Sequence, residues 1–188
     1  MKLKSKLKKK AKIKYKKYFY NFIIIFGILL SIWQIKIYRL TFINPWILIT
    51  ITLICGCLIF IVDLKNYKKI FEYTGFGLYF YAFFHYILGF GLIISSLFCL
   101  TNFYLAEENK QNVTLKIIES SYLNGGGRKY RINENKQPYF VISFKKEKKE
   151  LVFSSKYFED YDQYNKVELQ IHKGFFGFDI IKRKELKK

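Results

Sequence analysis

Three long runs without a charged residue constrain this chain more than any other feature. They cover residues 18–35, 45–62 and 76–104 of a 188-residue sequence. A helix over either of the first two runs would be about 27 Å long, close to the thickness of the hydrocarbon core of a bilayer. The third run is longer but too short for two spans, so it indicates one long, tilted helix. The runs therefore predict three transmembrane helices.

The overall composition agrees with a membrane protein. Hydrophobic residues make up 51% of the chain, although 33 Lys and Arg against 14 Asp and Glu give a net charge of +19. One soluble domain could not bury so much apolar surface while carrying this charge. A disordered chain would not contain 20 Phe and 16 Tyr. The high apolar content and the high charge are compatible because they are distributed unevenly. The first half contains the long apolar runs, and in the second half apolar and polar residues alternate.

The first 17 residues form a basic arm with ten lysines and no acidic residue. If the arm is helical, it places a narrow apolar stripe in a field of lysines, which is typical of helices that lie on anionic lipid headgroups. Nucleic acid would attract the same charge, but the adjoining apolar run favours lipid, so nucleic acid is not expected as a partner. Residues 33–36 do not form a small-residue cleavage site, which indicates an uncleaved anchor.

The distribution of basic residues predicts how the spans are oriented. Segments 1–17 and 63–75 carry thirteen basic residues, whereas the short segment 36–44 carries only Lys36 and Arg39. Basic segments remain on the cytoplasmic side of a membrane. We therefore expect a multi-pass protein of the inner or plasma membrane with a cytoplasmic N-terminus and an extracytoplasmic region 105–188.

Small residues recur every seven positions from the residue before the third run into the run itself. They are Gly75, Ala82, Gly89 and Ser96. Small side chains at this spacing let a second helix approach closely. The spacing predicts a helix-packing seam that contacts either the first two spans or a second copy of the chain.

His85 lies on the same seam and is a candidate intramembrane polar site. An ionisable side chain at this depth is costly without a partner, so it has either a structural hydrogen bond or a proton- or ligand-binding role. The expected partner is one of four polar residues of the first two spans, Asn21, Ser31, Thr50 or Thr52.

From residue 105 onward, apolar and polar residues alternate with period two, which is typical of half-buried strands. The pattern predicts six short strands around residues 113–117, 130–132, 140–144, 151–153, 167–171 and 176–180. Phe140, Ile142 and Phe144 should share an inward face, and His172 should lie on a solvated face. The expected fold class is membrane α plus β, with three helices followed by a small antiparallel barrel-like domain, closed or half-closed, of the OB or SH3 type.

A glycine run interrupts the strand pattern at Gly125, Gly126 and Gly127, followed by Arg128 and Lys129. It lacks the ending of a nucleotide-binding loop and a following helix. The run therefore predicts a flexible hairpin tip, with anion binding at the tip as the alternative.

The sequence offers little for catalysis or metal binding. Cys55 and Cys57 would point to different sides of a helix, and the two histidines are not near other metal-ligating residues in the sequence. Catalytic motifs with a nucleophile and base at diagnostic spacing are missing from the sequence. We therefore expect no catalytic, cofactor-binding or metal-binding residues, and a protein that is not an enzyme.

These features predict an integral membrane protein whose extracytoplasmic β-domain is a binding, sensing or assembly module. One alternative is an oligomeric channel or transporter subunit packed through the third span. The other is a membrane-anchored effector with a cytoplasmic, nucleotide-sensing barrel. The expected partners are the anionic lipid bilayer and either a second copy of the chain or another membrane protein.

Overall fold

The N-terminal half contains three long helices. The computed structural model describes residues 2–124, 136–145 and 147–188. Helix α1 covers Lys2–Tyr38 and α2 covers Pro45–Ile70; α3 (Gly75–Tyr86) and α4 (Leu92–Tyr104) are joined by a π-helical turn at Ile87–Gly91. The segments Ile13–Tyr38, Pro45–Ile70 and Gly75–Tyr104 are each long and apolar enough to cross a membrane. The prediction of three long apolar helices is confirmed.

The first two helices extend beyond the apolar runs. The basic arm continues directly into the first run as one helix, because lysine is a good helix former and neither Gly nor Pro precedes Gly27. Helix α2 begins at Pro45, and the side chain of Asn44 caps it by accepting from the N–H of Trp46, 3.0 Å away. It then continues through Asp63 to Ile70, so most of the predicted connecting segment is helical.

The C-terminal half is an antiparallel sheet of five strands. They are β1 (Lys110–Leu123), β2 (Gln137–Phe144), β3 (Glu147–Val152), β4 (Lys166–Lys173) and β5 (Asp179–Lys187), in the order β3-β2-β1-β4-β5. Strand β1 pairs with β4 along its first half and with β2 along its second half. A bulge between Ile117 and Glu119 separates the two halves and lets the strand bend there.

The sheet does not form the predicted closed or half-closed barrel. Among the described residues, β3 and β5 are the two edges and do not pair with each other. Lysine side chains lie between the edges instead. Lys184 of β5 donates to the carbonyl oxygen of Val152, 2.5 Å away, and Lys149 of β3 donates to that of Thr41, 2.8 Å away. Burial lowers the pKa of the Lys184 ammonium group.

The described strands match four of the six predicted strands. The stretch 176–180 is mostly a turn, and β5 begins only at Asp179. The prediction around 130–132 lies outside the described residues. The other four predicted strands fall within β1, β2, β3 and β4, with Phe153 just beyond the end of β3.

One face of the sheet forms a hydrophobic core. Phe140 and Ile142 are fully buried and Phe144 is 8% exposed, which confirms the predicted inward face. Burying each of these side chains stabilises the fold by roughly 1.5–3 kcal/mol. Phe42, from the segment that follows α1, belongs to the same core, and its ring centroid lies 4.9 Å from that of Phe144.

The chain divides into two compact units. The helical unit comprises residues 1–38 and 43–102, and the sheet unit comprises residues 39–42 and 103–188. The short segment Arg39–Phe42 is thus part of the sheet unit, although it connects α1 to α2.

Candidate functional site

A carboxylate in the helical unit is bound by side chains from all three long helices. Tyr20 of α1 donates its hydroxyl to Oδ2 of Asp63 on α2, and Tyr86 of α3 donates to the same oxygen at 2.8 Å. Asn66 donates to Oδ1 at 2.6 Å. Three donors satisfy most of the acceptor capacity of one carboxylate. We call Tyr20, Asp63, Asn66 and Tyr86 the Asp63 clasp.

Helix periodicity explains why these residues meet. Asp63 and Tyr67 are four residues apart on α2, so both lie on the face that contacts the other helices. The rings of Tyr20, Tyr67 and Tyr86 pack with centroids 5.7 to 6.1 Å apart. Tyr67, Tyr86 and Ala82 are fully buried in this cluster. The small side chain of Ala82 leaves room for the three rings.

His85 lies beside the clasp and is half-buried. Its Nδ1 is 3.1 Å from the hydroxyl oxygen of Tyr67 and 2.9 Å from the carbonyl oxygen of Tyr81. One ring nitrogen cannot donate and accept at the same time, so each tautomer makes one of the two bonds. The partner is therefore Tyr67 or a backbone carbonyl, and not Asn21, Ser31, Thr50 or Thr52.

A second polar contact also joins three helices. Gln34 of α1 donates from Nε2 to Ser95 at 3.1 Å, and its Oε1 accepts from Ser96 at 2.9 Å. Ser95 in turn donates to the carbonyl oxygen of Leu48 on α2, at 3.2 Å. Gln34, Ser95 and Ser96 are all buried. Beside them, an apolar cleft of about 430 Å³ lies between α1 and α2.

Three of the four seam residues contact the first two helices. Ala82 packs in the aromatic cluster, and Ser96 is bonded to Gln34. A Cβ atom on Gly89 would lie 2.7 Å from a methyl carbon of Ile23 on α1. Gly75 differs, because it is exposed at the start of α3 with φ +58° and has no neighbour near its Cβ position.

Three glycines that the seam pattern missed make equally close contacts. A Cβ atom on Gly27, Gly56 or Gly91 would lie 2.5, 2.8 or 2.4 Å from its nearest neighbour, respectively. Gly27 and Gly56 are the single glycines of the first and second apolar runs. A lone glycine in an apolar run is the sequence signal that could have identified these two close contacts.

In the sheet unit, His172 is buried and not solvated as predicted. It is 9% exposed, and its Nδ1 lies 3.0 Å from the carbonyl oxygen of Glu107. The pairing of β4 with β1 continues without a shift through His172, so this side chain lies on the face opposite Ile171, as the alternation predicts. That face is covered at this end of the sheet, where the ring contacts Glu107. The candidate anion-binding tip, residues 125–129, lies outside the described residues.

A cavity of about 430 Å³ surrounds His172 at the start of β1. Charged side chains of both signs line it, namely Glu107, Glu108, Lys110 and Lys182. Within the described part of the chain, no three His, Cys, Asp or Glu side chains are grouped closely enough to hold a metal ion. The mixed charge suits a polar ligand or a protein loop more than an apolar molecule.

The clasp should matter more for stability than the histidine beside it. Tyr86→Phe removes one of the donors to Asp63 at a fully buried position and should cost about 1–2 kcal/mol. His85→Ala should cost only about 0.6 kcal/mol, the average for a polar contact between membrane helices. Thermal unfolding of both variants in detergent tests the order. A larger loss of stability for His85→Ala than for Tyr86→Phe would contradict this order and would mean that the contacts of His85 hold the helices together more than the clasp does.

Comparisons with known proteins give no relative. No family model matches the chain, and no curated protein or solved structure is similar to it at a significant level.

Proposed function

We propose that this is a multi-pass membrane protein whose sheet unit is an extracytoplasmic module for binding or assembly, and not an enzyme. The observation that carries the proposal is the place of residues 39–42 in the sheet unit.

The segment after α1 is bonded to the start of β5. The N–H of Phe42 donates to the carbonyl oxygen of Asp179 at 2.8 Å, and the N–H of Ile181 donates to that of Leu40 at 2.7 Å. Thr41 forms a β-bridge with Ile180. If α1 and α2 cross a membrane, the segment between them and the whole sheet must lie on the same side.

Charge then supports the extracytoplasmic side. The segment that belongs to the sheet carries Arg39, with Lys36 just before it, whereas residues 1–17 and 63–75 carry thirteen basic residues. The positive-inside rule favours a cytoplasmic N-terminus and an extracytoplasmic sheet. This orientation argues against a cytoplasmic nucleotide-sensing effector.

The contacts of the helical unit favour an anchor over an oligomeric channel subunit. In the Asp63 clasp and the Gln34 contact, polar side chains are hydrogen-bonded to partners in the same chain. Ala82, Gly89 and Ser96 pack against α1 and α2. Of the two partners expected for the seam, the structure therefore favours the first two spans. The mixed-charge cavity around His172 gives the sheet unit a surface suited to a polar ligand or a protein loop.

Single cysteines test the orientation. In a chain in which the three native cysteines are replaced, an impermeant thiol reagent on intact cells should label two positions and spare two others. The positions are Arg39 and Asn109, expected to be labelled, and Ser5 and Glu72, expected to be protected. The structure places Arg39, Glu72 and Asn109 on the surface, so protection reflects the membrane and not burial.

Two outcomes would contradict the proposal. Labelling at only one of Arg39 and Asn109 would mean that the segment and the sheet lie on different sides. Labelling of Ser5 and Glu72 with Arg39 and Asn109 protected would reverse the orientation and favour the effector alternative.

A further inference from the structure

The hairpin between β4 and β5 presents two adjacent phenylalanines to the surroundings. Phe175 is 58% exposed and Phe176 is 45% exposed. Their rings pack edge to face, with centroids 5.0 Å apart. Large apolar side chains exposed together form the kind of patch that marks a contact with a partner or a membrane.

The turn that carries these rings has a defined backbone. The N–H of Gly174 donates to the carbonyl oxygen of Phe178 at 2.9 Å, and the N–H of Gly177 donates to that of Gly174 at 2.8 Å. Gly177 has φ +85°, which a side chain would disfavour. The two rings are therefore displayed by an ordered turn, which we call the Phe tip (residues 174–178).

The Phe tip lies at the end of the sheet where the chain connects to the helices. Ile180, near the tip, pairs with Thr41, which follows the end of α1 by three residues. Three residues of extended chain span at most about 11 Å. On the other side of the tip, His172 pairs with Lys110 at the start of β1, shortly after α4 ends. The opposite end of the sheet holds Tyr122 and Leu123, paired with the start of β2.

We infer that the Phe tip inserts Phe175 and Phe176 into the interfacial region of the bilayer that the helices cross. Phenylalanine on a membrane-bound surface enters the boundary between headgroups and acyl chains. Lys173, exposed directly before the tip, extends its ammonium group toward headgroup phosphates while its alkyl chain follows the apolar layer. The tip thereby holds the membrane-facing end of the sheet at the lipid surface. The inference requires the membrane spans but not the side on which the sheet lies, so it is independent of the proposed orientation.

Tryptophan fluorescence of the full chain in vesicles tests the inference. With Trp33 and Trp46 replaced by phenylalanine, Phe175→Trp provides the probe at the tip. Tyr122→Trp is the matched control, because Tyr122 is also exposed, at 41%, but lies at the opposite end of the sheet. The vesicles contain phosphatidylcholine and phosphatidylglycerol, with or without bromine on the acyl chains. Bromine quenches tryptophan only at short range.

We expect brominated lipid to remove at least half of the emission at position 175 and to leave position 122 unchanged. Aqueous iodide should show the reverse order. If iodide quenches position 175 strongly and brominated lipid does not, the tip lies in water and the inference is wrong. Equal quenching of both positions by brominated lipid would also overturn it, because the sheet would then lie flat on the membrane. Matching circular dichroism spectra of the two variants and the parent chain establish that all are folded.

Discussion

Phe140→Ala is expected to lower the free energy of unfolding of the sheet unit by about 3–5 kcal/mol. Phe140 is fully buried on β2, a strand bonded on both sides to β1 and β3. Its ring packs edge to face on Phe153 and Tyr164, with centroids 5.5 and 6.4 Å away. Because two ladders hold the backbone around it, the structure can relax only partly into the cavity. Small domains are stable by only about 5–15 kcal/mol, so this loss is a large part of the total.

Hydrogen exchange of the full chain in detergent, followed by mass spectrometry, measures this loss where it occurs. Peptides from β2 and β3 should exchange much faster in Phe140→Ala, while peptides from α2 and α3 should keep their protection. Phe175→Ala is the matched control, because it makes the same chemical change at a side chain that is 58% exposed. Equal protection of β2 in the two variants would show that Phe140 does not support the core.

The features that depend on local periodicity could be predicted from the sequence. Uncharged runs predict helices because a bilayer requires about 20 apolar residues in a row. Alternation predicts strands where one face is buried, as it is for Phe140, Ile142 and Phe144. Asp63 ends an apolar run, which predicts a connecting segment from that residue onward. The helix continues through it because neither Gly nor Pro interrupts the chain before Ile70.

The features that depend on contacts between distant segments could not be predicted. The Asp63 clasp requires a specific register among three helices, and the apolar run of each helix says nothing about that register. His172 lies on the face that the alternation predicts, but that face is covered near Glu107 at this end of the sheet, so the side chain is buried. The segment around Thr41 is too short to show a strand pattern, and it pairs with Ile180 far along the chain. Closure of a barrel requires pairing between the first and last strands of the sheet, and the alternation within each strand does not say which strands pair.

Gly91→Leu should separate α2 from the π-helical turn and destabilise the helical unit. A Cβ atom at Gly91 would lie 2.4 Å from the backbone carbonyl oxygen of Thr52. A backbone atom cannot move aside by changing rotamer, so the two helices must shift apart. Overpacking of this kind costs about 1–3 kcal/mol and occasionally more. We expect the upper end of this range, because shape complementarity and hydrogen bonds hold helices together in a bilayer without a hydrophobic drive.

Gly77→Leu is the matched control for this prediction, because it makes the same change in the same long helix at a position with no neighbour within 4 Å. The buried thiol of Cys99 reports unfolding through its reaction with a fluorescent thiol reagent, once Cys55 and Cys57 are replaced by alanine. The midpoint of thermal unfolding in detergent should fall clearly for Gly91→Leu. For Gly77→Leu it should stay near that of the parent chain, because the new side chain meets no neighbour and leucine has a higher helix propensity than glycine. Equal midpoints would mean that the close approach of Gly91 to Thr52 does not hold the two helices together. In that event the Asp63 clasp and the Gln34 contact would have to supply the packing by themselves.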